Sequence, residues 1–425
     1  MSTLSFYCLV AFIFAAIDVA SATQPADGTL YPLPVSPWPN HYVPGTVATL
    51  APGTNTTTQI VLHFQKMLAK GDIPSGALWL TKANGEQLLF SLGGQSLDEG
   101  SEPFRLDNYL RIGSITKTFT GSAILQLVQQ GKISLDDTWS KFYDPSLGEF
   151  PYADNITIRH MLSMTTGIPE YIKKGNGYDP EVKTAPYNWT YEDTVRLILD
   201  REPLFPPGQS PSNTFNYTNS NFVLLGQRVI EKVTNQPWRD FFLNEVIKPA
   251  GLGQTLVPAV GEVTVPQPSP TFYAYRDYNL TDPTTADDHK VLIDYSDIDP
   301  STWGAAGSFV STFQDLHLWA RYLTTGQGLS PELRAERFEK NNHVAPFALP
   351  PGIDFSYGLG VMKINNYFGH IGDAVGASTY MFHDPAKNNT MICVASNGPS
   401  RINVADAIAL LAMFDPEGFS GLGSA

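Results

Sequence analysis

The sequence predicts an α/β fold in which one sheet takes strands from both chain ends and an all-helical part is inserted between them. Strand-like apolar runs occur near both ends, whereas residues 114–252 show helical periodicity. A sheet assembled from the two ends explains this order, because the helical part then forms a separate layer beside it. We place the inserted part at about residues 114–300.

The N-terminal contribution to the sheet is predicted to follow a short helix. Residues 58–68 carry apolar side chains at helical spacing, and strand-like runs follow at residues 76–81 and 87–92. Asn84 and Gly85 lie between these runs, and an Asn-Gly pair in that position is a strong hairpin signal. These residues therefore predict a helix followed by a β-hairpin.

Five helices are predicted in the central part, and strands return after it. The helices cover residues 114–130, 159–164, 190–199, 221–233 and 238–246. A long polar insert follows at residues 266–300. Strand-like runs then occur at residues 358–363, 378–382 and 390–396, before a last helix at residues 404–413.

Composition and charge describe a core-rich globular protein and exclude two classes of partner. Hydrophobic residues make up 42% of the 425 residues and charged residues only 16%. The 41 acidic and 27 basic side chains give a formal net charge of -14. This charge repels nucleic acid and anionic membranes, so we expect neither as a partner.

The N-terminus predicts a secretory signal peptide at residues 1–22. Residues 4–17 form an apolar run too short to span a membrane, and the small residues Val19-Ala20-Ser21-Ala22 follow it. A buried N-terminal helix is the alternative. Removal of Cys8 with the signal would leave Cys393 alone, without an internal disulfide.

Glycosylation follows from the same expectation of export. Six Asn-x-Ser/Thr sites, at Asn55, Asn155, Asn188, Asn216, Asn279 and Asn388, fit a secreted glycoprotein. Asn216 is expected to be buried and free of glycan.

The predicted domain divisions are a proline-rich arm at residues 23–52, one domain at residues 53–415 and a tail at residues 416–425.

Ser114 and Lys117 are the first candidate catalytic residues. Residues three apart share a helix face, which brings the serine hydroxyl and the lysine amine within hydrogen-bond reach. An N-cap serine and a solvated lysine would be the ordinary interpretation of such a pair. Apolar side chains surround this pair, however, so we expect Lys117 to be desolvated and its pKa lowered.

The segment Arg111-Ile112-Gly113-Ser114-Ile115-Thr116-Lys117 resembles the first motif of the penicillin-recognising serine hydrolases. This family includes class C beta-lactamases, serine D-Ala-D-Ala carboxypeptidases, D-aminopeptidases and related esterases. Two further motifs follow in the family's order, Tyr217-Thr218-Asn219 and His370-Ile371-Gly372. Each occurs once in the chain, and the resemblance extends over about residues 58–413.

The resemblance implies a beta-lactamase/transpeptidase-like fold with an antiparallel sheet flanked by helices. It also implies catalytic roles for Ser114, Lys117, Tyr217, Asn219 and His370, and an oxyanion hole made by the backbone N–H groups of Ser114 and Asp373. Gly372 and Lys363 are candidate substrate-binding residues. The site would lie in the cleft between the sheet and the inserted helical part.

The residues leave open which group activates Ser114. A serine hydroxyl needs a base near neutral pH, whereas the unperturbed pKa values of lysine and tyrosine are about 10.4 and 10. A neutral Lys117 could take the serine proton directly, or its ammonium could hold Tyr217 as the phenolate that does so. Asn219 could orient Lys117 and bind a substrate amide.

His370 and Asp373 bear on the substrate. His370 stands where many relatives have lysine, and a histidine is only partly cationic near neutral pH. Asp373 adds a negative side chain beside the site. Both features argue against an efficient beta-lactamase and against tight binding of anionic substrates, while D-peptide chemistry stays open.

Metal, cofactor and other hydrolase classes lack support in the sequence. There is no His-Glu-x-x-His, no Cys-x-x-Cys and no Gly-x-Ser-x-Gly, so no metal site, no cofactor and no α/β-hydrolase elbow is predicted. The acidic loop with Asp294, Asp297 and Asp299 lacks the glycine and glutamate of a calcium loop.

The sequence therefore predicts a secreted serine hydrolase that acts on a small-molecule or peptide substrate with an ester or amide bond. The activity expected first is that of a D-Ala-D-Ala carboxypeptidase or D-peptidase, or of an esterase or amidase. The sequence does not decide among peptidase, esterase, beta-lactamase and acyl-transfer activity, and it leaves the oligomeric state open. The alternative is a catalytically silent binding or scaffold protein of the same fold. The complete motif set favours the enzyme, because a binding role does not require a buried amine beside a serine.

Overall fold

A computed structural model describes residues 55–70, 73, 75–98, 100–172, 189–208, 215–275, 292–340, 343–344, 352–396 and 404–420. The predicted signal peptide and proline-rich arm lie outside these residues, so both stay predictions. Within the described ranges, no helix is long and apolar enough to cross a bilayer.

The main sheet has eight antiparallel strands in the order β2-β1-β12-β11-β10-β9-β8-β7. The strands of the protein are β1 (Ser75–Thr81), β2 (Gln87–Leu92), β3 (Leu110–Arg111), β4 (Tyr273–Tyr275), β5 (Leu292–Asp294), β6 (Val310–Ser311), β7 (His343–Val344), β8 (Phe355–Tyr357), β9 (Met362–Ile364), β10 (Tyr367–Ala374), β11 (Ala377–Asp384) and β12 (Asn389–Ser396). Leu78 of β1 pairs with Cys393 of β12, so strands from the two chain ends lie side by side. The predicted fold class is confirmed.

Helices cover the sheet and make up most of the inserted part, which is not all-helical as predicted, because strands β4 and β5 pair within it. The helices are α1 (Asn55–Lys70), α2 (Thr116–Gln129), α3 (Ile158–Leu162), α4 (Tyr191–Leu199), α5 (Asn219–Val223), α6 (Ile230–Thr234), α7 (Trp238–Phe241), α8 (Gly304–Gly307), α9 (Phe313–Thr325), α10 (Pro331–Ala335) and α11 (Val404–Phe414). A π-helical turn at Leu224–Val229 joins α5 to α6 without a break in the chain direction.

The two faces of the sheet pack against different helices because side chains alternate along a strand. Gly76 of β1 faces α1, where an added Cβ would approach the ring of Phe64. Trp79 of the same strand stacks on His317 of α9, with ring centroids 4.6 Å apart. Every residue of β11 is buried, as expected for a strand covered on both faces.

Helix α2 lies at the centre of the molecule, which explains its unusually apolar sequence. Eleven of its fourteen residues are buried, and a helix that is buried on all sides needs no polar face. Phe119 stacks on Trp319 of α9 at 4.0 Å between ring centroids. The catalytic candidates at its start are therefore attached to a helix that is packed on almost every side.

Several sequence-level boundaries were wrong for identifiable reasons. The predicted strand at residues 358–363 is limited to β9, because Gly360 has a φ of +72° and turns the chain before it. Strand β10 and helix α9 were not assigned from periodicity. Residues 416–420, assigned to a tail, contact the domain: Phe419 is 3% exposed and packs on the ring of Tyr367.

Candidate active site

Ser114 lies in a 3-10 turn, Gly113–Ile115, that leads directly into α2. The predicted helix therefore begins with this turn instead of a regular α-helical turn. Ser114 is partly exposed, whereas the residues on either side of it are buried. The hydroxyl thus stands at the surface of the core, at the N-terminal end of the central helix, where free N–H groups favour developing negative charge.

Lys117 is fully buried and contacts three oxygen atoms. Its Nζ lies 2.8 Å from Ser114 Oγ, 2.6 Å from Asn219 Oδ1 and 2.9 Å from the carbonyl oxygen of Ala306. The Asn219 and Ala306 oxygens can only accept hydrogen bonds, so they take two N–H groups of the amine. In the neutral amine, the remaining lone pair then faces the hydroxyl of Ser114.

Burial lowers the pKa of Lys117 to about 7, because the ammonium loses its hydration in the core. The carboxylates of Glu170 and Asp373 oppose this effect by stabilising the charged form. A substantial neutral fraction therefore exists near neutral pH. The expected desolvation of this lysine is confirmed, and its neutral form is suited to accept a proton.

Tyr217 and Asn219 reach Lys117 from the start of α5. Lys117 Nζ lies 5.0 Å from the centroid of the partly buried Tyr217 ring. Thr218 caps α5 by accepting from Ser220 N, which fixes the chain between the two motif residues. The structure thus brings the first two motifs together. Asn216, expected to be buried, is only partly buried.

His370 lies on β10, fully buried, with both ring nitrogens hydrogen-bonded. Nδ1 is 2.6 Å from the carbonyl oxygen of Ile371, which can only accept, so Nδ1 carries the proton. Nε2 then accepts a hydrogen bond from the hydroxyl of Tyr357 at 3.1 Å. Burial lowers the pKa of His370 to about 3, and the charge of Lys117 adds to this effect. The expectation of a partly cationic histidine is wrong, because the buried ring is neutral.

Two glycines let β10 lie directly against the turn that carries Ser114. A Cβ on Gly372 would stand 1.9 Å from the carbonyl oxygen of Ile112. A Cβ on Gly113, whose φ is +49°, would stand 2.7 Å from the backbone N of Asp373. The backbone of Asp373 is therefore packed against Gly113, the residue before Ser114. The oxyanion hole made by Ser114 and Asp373 stays a prediction.

Lys363 is not brought into this group. It lies on β9, and its Nζ donates to Asp354 Oδ2 at 2.7 Å. Gly372 contacts the chain before Ser114, so its visible role is close packing. The proposed substrate contacts of both residues stay predictions.

Glu170 and Tyr357 are site residues that the sequence reasoning missed. Glu170 Oε2 accepts from the backbone N of Asn219 at 2.7 Å and from Asn219 Nδ2 at 3.1 Å. Tyr357 is buried behind His370 and Tyr217, with ring centroids 5.7 Å and 6.1 Å away. Neither belongs to one of the three short motifs, so only their three-dimensional contacts reveal them.

Part of the polar insert contacts Arg111, close in the chain to Ser114. Arg111, three residues before Ser114, donates to the carbonyl oxygens of Tyr295 at 2.7 Å and Ser296 at 2.5 Å. Its guanidinium lies 4.7 Å from the ring centroid of Phe272. The insert is therefore joined by a buried cation to the strand that precedes the Ser114 turn, although its sequence reads as a polar loop.

Among the described residues, no group of three or more His, Cys, Asp or Glu side chains has the spacing of a metal site. In the acidic loop, Asp294 Oδ1 accepts from Ser296 N and Asp299 Oδ1 accepts from Ser301 N. These carboxylates serve as local turn and helix caps.

A family model described as Beta-lactamase matches residues 61–413 of this chain. Among solved structures, the D-stereospecific amidohydrolase from Streptomyces sp. is similar with a TM-score of 0.67 and 27% identity, over 86% of this chain and 99% of that one. The D-amino acid amidase from Ochrobactrum anthropi SV3, complexed with D-phenylalanine, has a TM-score of 0.69 over 86% of this chain and 100% of that one. Because only 20% of the residues are identical, this likeness shows that the two chains share a fold and nothing further.

Curated relatives match a shorter part of the chain. Protein flp of Staphylococcus aureus strain COL is 32% identical over 198 residues, which are 46% of this chain and 37% of that protein. Penicillin-binding protein 4* of Bacillus subtilis is 27% identical over 179 residues, 41% of this chain and 36% of that protein. The matched part therefore spans little more than a third of the length of these relatives.

Proposed function

Because the chain belongs to the beta-lactamase family, we propose that it is a serine hydrolase that forms an acyl-enzyme ester at Ser114. The observation that carries this proposal is the contact of a fully buried Lys117 with Ser114 Oγ at 2.8 Å. A structural lysine gains nothing from this arrangement, since burial of an amine is costly. A base for the serine hydroxyl requires it.

In the first step, Ser114 Oγ bonds to the substrate carbonyl carbon and its proton passes to Lys117 Nζ. The geometry favours this direct route over a Tyr217 phenolate. Asn219 and Ala306 accept the two N–H groups of the neutral amine, so its lone pair is left to face Ser114. Tyr217 is suited to protonate the leaving nitrogen or oxygen and to regain its proton from Lys117. The bond to the leaving group breaks, and the acyl group stays on Ser114.

The negative oxygen of the tetrahedral intermediate would be held by the backbone N–H groups of Ser114 and Asp373. The close packing of Gly113 against the Asp373 backbone supports this pair. One such donor typically contributes roughly 10² to 10³ in rate. Water activated by Lys117 then attacks the ester, and the acid and the free serine are released.

Charge at the site favours amide or ester substrates without a free carboxylate. Lys117 is occupied as the base, His370 is neutral, and Lys363 is paired with Asp354. Glu170 and Asp373 add negative charge near Lys117. We therefore propose amidase or esterase activity ahead of carboxypeptidase activity. The amidohydrolase and amidase names of the structural neighbours fit this choice.

A matched substrate panel tests the proposal. We would compare D-Ala-D-Ala with its C-terminal amide, together with D-phenylalanine amide, a short-chain nitrophenyl ester and nitrocefin, with Ser114→Ala as the control. We expect kcat/KM for the dipeptide amide to exceed that for the free dipeptide at least 10-fold. A preference for the free carboxylate would contradict the substrate assignment. No turnover of any compound and no covalent labelling would support a silent binding protein.

A further inference from the structure

Glu170 occupies a polar position behind the catalytic group that no short motif marks. Its Oε2 accepts from both the backbone N and the Nδ2 of Asn219, and its Oε1 accepts from Ile172 N at 3.0 Å. All of these partners are N–H donors, which stabilise the ionised carboxylate. Burial raises the pKa of Glu170, and these donors oppose that effect.

The contact with Nδ2 decides how the Asn219 side chain is turned. An amide has one acceptor and one donor end, and the donor end faces the Glu170 carboxylate at 3.1 Å. The acceptor end, Oδ1, is thereby directed to Lys117 Nζ at 2.6 Å. A reversed amide would oppose its N–H groups to the N–H groups of Lys117 and would lose both contacts.

The neighbouring backbone fixes the same relationship independently. Ser220 Oγ donates to the carbonyl oxygen of Pro169 at 2.7 Å, and Tyr171 N donates to Ser220 Oγ at 3.1 Å. The residues on both sides of Glu170 are therefore tied to the first turn of α5. Because Pro169 and Tyr171 are both held by Ser220, the backbone fixes the distance between the Glu170 carboxylate and Asn219.

We propose that Glu170 is a positioning residue that, through the side chain of Asn219, holds Lys117 in line with Ser114. This inference rests on the proposed acyl transfer at Ser114. Glu170 does not exchange a proton with the substrate in this scheme. Its carboxylate orients one amide, and that amide fixes the amine.

The Glu170 carboxylate also raises the pKa of Lys117. The pH dependence of activity can therefore distinguish this role from purely structural support. Within the part of the chain that the structure describes, the titratable groups around Lys117 are Glu170, Asp373, Tyr217 and His370. Both carboxylates raise the pKa of Lys117, and Glu170 has a larger effect than Asp373. Removing the Glu170 charge should lower that pKa, so the neutral base should form at lower pH.

Two variants separate charge from geometry. Glu170→Gln keeps the shape but removes the charge, and it places an N–H₂ group against a backbone or side-chain N–H. Glu170→Asp keeps the charge but shortens the reach. The matched control is Glu192→Gln, which removes the same charge from the exposed face of α4. For each protein, the concentration of reactive Ser114 is titrated with a fluorophosphonate, and kcat/KM per reactive site is measured from pH 5 to 9.

We expect kcat/KM per reactive site to fall roughly 10- to 100-fold in Glu170→Gln, because Lys117 loses its alignment. The acidic limb of its pH profile should move about one pH unit lower. Glu170→Asp should lose activity with the limb unmoved, and Glu192→Gln should match the wild type. If Glu170→Gln yields no folded protein, the per-site rate of Glu170→Asp decides the matter.

Per-site rates within twofold of wild type, or a Glu170→Gln limb that stays in place, would overturn the inference. A loss of reactive sites with unchanged per-site rate would also overturn it, since this is the result of a purely structural role. Failure of the proposed function looks different. In that case, wild-type Ser114 itself would not react with the fluorophosphonate.

Discussion

Lys117 Nζ lies 2.8 Å from Ser114 Oγ, although the lysine side chain is fully buried in the centre of the molecule. The fold supports this costly placement by completing the hydrogen bonds of the amine with Asn219 Oδ1 and the Ala306 carbonyl. Because a buried amine is more stable uncharged, the environment that protects it also makes it a base.

The contact between Asn219 and Lys117 should matter for activity more than a similar contact on the surface. Asn219→Ala removes an acceptor of the Lys117 amine, and we expect kcat to fall roughly 10- to 100-fold if this amine is the base. Asn244→Ala is the matched control, since Asn244 Oδ1 accepts from exposed Lys248 Nζ at 2.8 Å. Steady-state kinetics on the preferred amide measures both. Equal losses in the two variants would contradict the role of Asn219.

His370 should stay neutral over the working pH range. Its lowered pKa of about 3 means that the folded state binds a proton less readily than the unfolded chain, whose histidine titrates at about 6.5. The contribution of this residue to stability is therefore fully present above pH 6.5 and is lost as the pH falls towards 3. Long-range ¹H–¹⁵N NMR of the imidazole should show the Nδ1–H tautomer at pH 7. A His370 signal that titrates between pH 6 and 7 would disprove this assignment.

Gly372 should tolerate no side chain. In Gly372→Ala, the new Cβ would overlap the carbonyl oxygen of Ile112 and push the Ser114 turn away from β10. We expect a loss of about 1–3 kcal/mol in the free energy of unfolding, and a larger loss of activity. Gly253→Ala is the control, because an added Cβ there meets no atom within 4 Å. Urea unfolding and kcat/KM are the measurements, and wild-type values for Gly372→Ala would refute the packing argument.

The Arg111 contacts should control substrate choice more than reactivity. Arg111→Lys loses the planar fork that reaches the Tyr295 and Ser296 carbonyls and the stack on Phe272. We expect KM for bulky amides to change several-fold, while the rate of Ser114 labelling by a small fluorophosphonate stays within about threefold. Arg105→Lys, at an exposed ion pair with Asp107, is the control. A parallel collapse of labelling would show that Arg111 supports the nucleophile instead.

Much of the fold was predictable because its signals are local. The hairpin of β1 and β2 follows from an Asn-Gly turn, and α2 follows from an apolar run that ends at Gly131. Strand β10 and helix α9 were missed because tertiary packing decides them. His370 and Gly372 on β10 are chosen for contacts with Tyr357 and Ile112, not for strand periodicity.

The site was predictable only where chemistry fixes the spacing between residues. Ser114 and Lys117 are one helical turn apart, so their contact follows from helix geometry. The ionisation of His370 was not predictable, because it is set first by burial and then by the charge of Lys117, and both depend on the tertiary fold. Glu170 was missed for a similar reason. It contacts Asn219, which lies 49 residues further along the chain, and no local sequence pattern predicts a contact over that separation.

The role of Lys117 as the base for Ser114 can be measured through the pH dependence of Ser114 labelling. An uncharged fluorophosphonate would be reacted with the protein from pH 5 to 9, and the modified peptide would be identified by mass spectrometry. If the neutral amine of Lys117 activates Ser114, the rate constant should rise with pH through a midpoint near 7, and Lys117→Met should lower it about 10²-fold or more. A rate that does not change with pH, or a Lys117→Met variant that reacts like the wild type, would contradict the account.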